Sequence, residues 1–124
     1  MDLLLDTQAF LWFENGDERI TAAAKQSILN PKSVKFVSMA SFWEIAIKNS
    51  LGKLQLSVSF EELLEISGYL HLPIGSEHLK LLRLLPYHHG DPFDRLIIAQ
   101  ALHENLTVIS SDGQFDNYGV RRIW

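Results

Sequence analysis

Residues 89–101 read His89-Gly90-Asp91-Pro92-Phe93-Asp94-Arg95-Leu96-Ile97-Ile98-Ala99-Gln100-Ala101. This stretch encodes a helix start. Asp91 offers a side-chain acceptor to the unbonded N–H groups of a first turn, and Pro92 stands at the first helical position, where a missing N–H is no loss. Ile97, Ile98 and Ala101 recur at the spacing of one helical face, which predicts a helix over 91–104 with that face toward a core. Asp94 leads the same face, where a carboxylate is partly desolvated and needs a partner.

Downstream, the apolar run 106–109 predicts a strand ending at Ser110, Ser111 and Asp112, and 120–124 predicts a last strand. Upstream, 76–84 is an amphipathic helix followed by Pro86, and 69–74 is a strand with Pro73 marking an edge. Helices are predicted over 59–67, ended by Gly68, and over 38–51, closed by Gly52. A strand fits 34–37. A helix fits 21–29, with Thr21 as its cap and Asn30-Pro31 as its stop. Leu3-Leu4-Leu5 is a short buried-strand signal, and a helix starts from about Thr7 with Ala9, Phe10, Trp12 and Phe13. Strands separated by helices, without strict polar alternation, predict an α/β fold. Its centre is a mostly parallel sheet of about five strands with helices on both faces. The length of 124 residues suits one domain over 1–124.

Composition narrows the function classes. There is no cysteine, which excludes disulfides and thiolate metal sites and accords with a cytoplasmic location. The first residues turn acidic too soon for a signal peptide, and no apolar run is long enough to span a membrane. With 15 acidic and 11 basic residues the net charge is −4, so this is no basic nucleic-acid coat protein. Any nucleic-acid role needs local cations.

Acids fall where ligands bind in open α/β sheets, beyond the carboxyl ends of the strands. Asp6 ends the first strand and Asp112 follows the strand over 106–109. Glu44 and Asp94 sit early in helices that start at the same rim. Each has a plain alternative. Asp6 can cap a helix, and Glu44 can close a capping box with Ser41 or pair with Lys48. Asp91 and Asp94 can serve the helix dipole, and Asp112 can be a turn residue before Gly113. Together, four carboxylates at one rim repel one another unless cations neutralise them. An all-oxygen donor set suits Mg²⁺ or Mn²⁺. Two ions roughly 4 Å apart would support an in-line phosphodiester displacement, one activating water and the other neutralising the leaving oxygen.

The combination of Leu3-Leu4-Leu5-Asp6-Thr7, Ser38-Met39-Ala40-Ser41-Phe42-Trp43-Glu44-Ile45-Ala46, the stretch 89–101 and Val108-Ile109-Ser110-Ser111-Asp112 resembles the VapC-like PIN-domain toxins of bacterial toxin–antitoxin pairs. The resemblance runs over essentially the whole chain in family order. It implies a PIN fold, Mg²⁺- or Mn²⁺-dependent endoribonuclease activity on an RNA substrate, and inhibition by a small cognate antitoxin. It carries the family's four acids onto Asp6, Glu44, Asp94 and Asp112 as metal ligands and catalytic residues. A supporting hydroxyl falls on Thr7 and another on Ser110 or Ser111. Asp91 is an extra acid, read first as the helix cap and second as a contact to metal through water.

The remaining polar residues are read as secondary. His88 and His89 are taken as loop or near-cap residues rather than ligands, and Arg95 as a group that orients the carboxylates, contacts RNA phosphate or makes a surface salt bridge. Lys48, Lys53, Lys80 and Arg83 are dispersed solvated cations. Trp12, Phe13 and Trp43 are core or interface residues, and an exposed remainder of the first two helices would suit a homodimer or an antitoxin. A haloacid-dehalogenase-type phosphatase would need a second acid where Gln8 stands, and a receiver domain would need paired acids near the first strand. The alternative from another class is a non-catalytic PIN module that binds RNA or protein with its acids in structural roles.

Overall fold

Leu3, Leu4 and Leu5 are wholly buried, and they lie in the central strand of a five-stranded sheet. Leu3 and Leu5 join one apolar cluster with Phe10, Ile28, Val37, Phe42 and Ile45. Leu4 faces the other way, into a cluster with Leu85, Ile97, Ile98, Val108 and Phe115. A strand covered on both faces tolerates a continuous apolar run, because alternate side chains enter different cores.

The computed structural model describes residues 1–124. The elements are β1 (Asp2–Leu5), α1 (Thr7–Glu14), α2 (Ala22–Leu29), β2 (Val34–Ser38), α3 (Met39–Ser50), α4 (Phe60–Leu64), β3 (Leu70–Leu72), α5 (Ser76–Leu84), α6 (Pro92–Glu104), β4 (Thr107–Ile109), a 3-10 helix (Gly113–Tyr118) and β5 (Arg122–Ile123). The sheet order is β3-β2-β1-β4-β5, and every pairing is parallel. The chain builds outward from β1 to β3 and then crosses to β4 on the other side. The crevice beyond the carboxyl ends of β1 and β4 is therefore the topological switch point, where ligands bind in such sheets.

Several elements are shorter than their sequence patterns predict. β3 stops at Leu72 because its neighbour β2 ends at Ser38, the last paired position, and Pro73 has no N–H to continue a ladder. β5 pairs only where the three-residue β4 offers partners. The helix predicted over 59–67 is α4, which closes at Glu65, and Ile66 turns back onto the core cluster containing Phe10. The capping box proposed for Ser41 and Glu44 does not form. Ser38 caps α3 by accepting from Ala40 N–H at 3.0 Å. The long helix closes as expected at Gly52, whose φ of +72° lies in the left-handed region that glycine enters without strain. The 3-10 helix has no counterpart in the sequence reading, since six residues without apolar periodicity carry no helical signal. No helix is long and apolar enough to cross a membrane.

Candidate active site

Helix starts place the acids. Asp6 follows β1 directly and caps α1, its Oδ1 accepting from Ala9 N–H at 2.8 Å. Asp91 caps α6, accepting from Phe93 N–H at 2.8 Å and Asp94 N–H at 3.1 Å. That leaves Asp94 in the first turn, facing the switch point. Asp112 follows β4 and caps the 3-10 helix through Gln114 N–H at 2.9 Å. Glu44 reaches the same rim from the second turn of α3 and holds Lys48 Nζ at 2.7 Å. The plain readings of Asp6 and Asp91 as caps are thus correct, and Asp112, read as a turn residue, instead caps the 3-10 helix, yet the same side chains also reach the rim.

These side chains line one cavity of about 260 Å³, together with Thr7, Gln8, Leu11, Ile45, Lys48, Leu54 and Ser111. Five carboxylates from four separate segments face it, and Lys48 is the only cation in its wall. Asp6 and Glu44 are each only 6% exposed. Burial pushes the Asp6 carboxyl up from 3.8 to about 6; the charges of Asp112 and Glu44 add to the shift, while the Ser110 hydroxyl and Ala9 N–H oppose it. Burial also raises Asp94 to about 7, reinforced by the charges of Asp91, Asp6 and Glu44. Both shifts come first from burial, with the neighbouring carboxylates adding to it, which marks a desolvated acidic site.

The supporting residues divide. Thr7 Oγ1 donates to Ser41 Oγ at 2.9 Å, tying the start of α1 to α3. Buried Ser110 accepts from Asp112 N–H at 3.0 Å, and Ser111 stands on the cavity wall. Arg95 requires a correction. Its side chain turns away from the acids and is buried, donating from Nη1 to Pro86 O at 2.9 Å and from Nη2 to Leu82 O and Leu85 O, each at 3.3 Å. It braces the end of α5 against α6 and makes no surface salt bridge.

His89 requires the opposite correction. It is buried, its Nε2 lies 2.7 Å from Asp112 Oδ2 and 3.1 Å from Asp94 Oδ2, and it belongs to the carboxylate cluster. A histidine shortly before an acid at a helix start was the available signal, but proximity in sequence does not show which way a ring points. Trp43 is an exposed residue, packed edge-on against Phe93 with ring centroids 5.1 Å apart. The exposed apolar stripe runs along α3 as Met39, Trp43, Ile47 and Leu51, rather than along the first two helices.

A family model described as PIN domain matches residues 3–120. No curated protein matches the sequence. Among solved structures, VapBC2 from Rickettsia felis, bound to a DNA fragment from its promoter, is similar with a TM-score of 0.74 at 15% identity, covering 98% of this chain and 97% of that one. VapC20 from Mycobacterium tuberculosis, described as a sarcin-ricin loop cleaving toxin, is similar with a TM-score of 0.69 at 14% identity, covering 95% of each chain. VapBC-1 from nontypeable Haemophilus influenzae gives 0.66 at 18% identity, covering 98% of this chain and 96% of that one.

Proposed function

The chain belongs to the PIN-domain family, and from that premise we propose that it is the toxin of a toxin–antitoxin pair, an endoribonuclease that hydrolyses RNA phosphodiester bonds with Mg²⁺ or Mn²⁺. One observation carries the reading: carboxylates from four segments converge on a single small cavity whose wall holds one lysine. The donor set fits such a cation. It is rich in carboxylate oxygens and contains no thiolate, the chemistry of hard divalent ions. Asp6, Glu44, Asp94 and Asp112 would hold it, and it would supply charge neutralisation at the phosphodiester.

The protein's own groups do the positioning. Ala9 N–H fixes Asp6, and Lys48 fixes Glu44. The Glu44 carboxylate in turn keeps Lys48 protonated, so a positive charge stands at the cavity wall where a phosphate would arrive. Asp91 spends Oδ1 on capping α6. Its other oxygen remains for water or substrate. Thr7 and Ser111 offer hydroxyls at the rim.

The deciding experiment is RNA cleavage by purified protein with Mg²⁺, with Mn²⁺ and with chelator, for wild type and Asp6→Asn. Cleavage is expected only with metal and only in wild type. Activity that survives both chelator and Asp6→Asn rules the reading out, and a wild type inert with metal leaves a non-catalytic binding module. Mg²⁺ should also raise the melting temperature of wild type, because it binds only the folded site.

Partner binding is part of the same reading. The Rickettsia felis and Haemophilus influenzae structures are of VapBC proteins. The stripe of Met39, Trp43, Ile47 and Leu51 beside the site is the kind of apolar face that an antitoxin helix or a second copy of this chain covers. Expression of the chain alone in a bacterial cytoplasm should arrest growth, and a small co-encoded protein should relieve it. Normal growth with abundant folded protein would count against the toxin role.

A further inference from the structure

The structure assigns His89 a role that deepens the metal-site reading and rests on it: we propose that His89 is a positioning residue, a hydrogen-bond donor of fixed tautomer that holds the Asp112 carboxylate beside Asp94, and not a metal ligand. Distance alone suggests otherwise. One nitrogen of His89 and one oxygen each of Asp94 and Asp112 lie within 4.8 Å of one another, a spacing that could hold an ion.

The other ring nitrogen decides between the two roles. Asp91 N–H donates to His89 Nδ1 at 3.1 Å. A nitrogen that accepts from an N–H presents its lone pair and carries no proton, so the ring proton is on Nε2. That Nε2–H donates to Asp112 Oδ2 at 2.7 Å, and Asp94 Oδ2 lies 3.1 Å from the same nitrogen. Ligation through Nε2 would require moving the proton to Nδ1, where it would meet the Asp91 N–H donor to donor. Histidines that bind metal instead direct their second nitrogen at an acceptor. Here the backbone supplies a donor, and the ring can only donate, to Asp112.

The ring is also held from behind. His89 N–H donates to the Tyr118 hydroxyl at 2.8 Å, and Phe115 lies edge-on to the imidazole with centroids 6.1 Å apart. Tyr118 and Phe115 both belong to the 3-10 helix that Asp112 caps. The arrangement closes on itself. Asp112 starts the helix, the helix anchors His89, and His89 fixes the Asp112 carboxylate, with Asp94 Oδ2 beside the same nitrogen. The Asp112 carboxylate is thereby placed beside Asp94, which comes from a different segment, before any cation binds. Their remaining lone pairs are left for the cavity.

The test has two arms. In wild type with ¹⁵N-labelled histidine, long-range ¹H–¹⁵N correlations should show His89 protonated at Nε2 and bare at Nδ1, unchanged when Mg²⁺ is added. A proton on Nδ1, or a ligation shift at Nε2 with Mg²⁺, overturns the proposal. In the second arm Mg²⁺ affinity is read from melting temperature against metal concentration. His89→Leu should weaken it by roughly 10- to 100-fold. His89→Gln, whose amide N–H can reach the Asp112 carboxylate, should recover most of the loss. Wild-type affinity in His89→Leu also overturns the proposal. If His89→Leu fails to fold, the tautomer measurement on wild type still decides. Should wild type bind no Mg²⁺ at all, the metal reading falls, while the tautomer stands or falls on its own spectrum.

Discussion

Asp94 and Arg95 are neighbours in the chain and opposites in the fold. Arg95 is a buried charge with its partners supplied: three carbonyls of the α5 end and its following turn accept from it, the Tyr118 hydroxyl lies 3.4 Å away, and the Tyr87 ring stacks 3.9 Å from its centre. Asp94 is a charge at the edge of a cavity, surrounded by other acids, with its carboxyl raised to about 7. Buried charges are tolerated when they are hydrogen-bonded and compensated, and are otherwise costly. The Arg95 side reads as structure. At the Asp94 side the fold offers only the His89 ring nitrogen at 3.1 Å against several acids, the condition under which a site is poised for something from outside.

That contrast can be broken by a matched pair of variants. Asp94→Asn should reduce metal-dependent cleavage by at least about 100-fold, which corresponds to roughly 3 kcal/mol of lost transition-state stabilisation. The metal-free melting temperature at pH 8 should hold or rise, because a repelled charge has been removed. Arg95→Ala should do the reverse. It leaves buried carbonyls without donors and should destabilise the fold by about 3 kcal/mol, or roughly 10 °C in melting temperature. Mg²⁺-dependent cleavage should survive at temperatures where the variant remains folded. If Arg95→Ala abolishes cleavage in folded protein, or Asp94→Asn unfolds it, the division between the two sides is wrong.

A smaller effect sharpens the same contrast through pH. Asp6 is raised from 3.8 to about 6 in the folded protein, so between those values the folded state binds more protons than the unfolded one. Stability from this group therefore falls as pH rises through that window, and the penalty is complete above it. Asn at position 6 keeps an acceptor for Ala9 N–H and cannot ionise. Metal-free Asp6→Asn should thus be more stable than wild type at pH 8, by an amount on the order of 3 kcal/mol, and the gap should close near pH 4. A gap independent of pH would mean that Asp6 is not held against its charge. Mg²⁺ binding, which needs the ionised carboxylates, should strengthen from pH 5.5 to pH 8 for the same reason.

The elements were legible because their signals are local. Asp91-Pro92 marks a helix start whatever surrounds it, and three adjacent leucines ending in an acid mark a buried strand that stops at a rim. The order of strands and helices then implied a parallel sheet, and the strand-end rule brought Asp6 and Asp112 to one edge. The roles of His89 and Arg95 were not legible. By its local pattern His89 is a loop residue, and Arg95, next to Asp94, belongs near the acids. Their partners lie far along the chain: Asp112 and Tyr118 for His89, Leu82 and Leu85 for Arg95.

Sequence alone determined the α/β architecture and the identities of the acids at its rim, since capping, apolar periodicity and strand length act over a few residues. Only the tertiary structure decided which way each charged side chain turns. Successive residues on a helix project about 100° apart. Asp94 and Arg95 therefore diverge to different environments, and what each one meets is set by distant segments that no local pattern records.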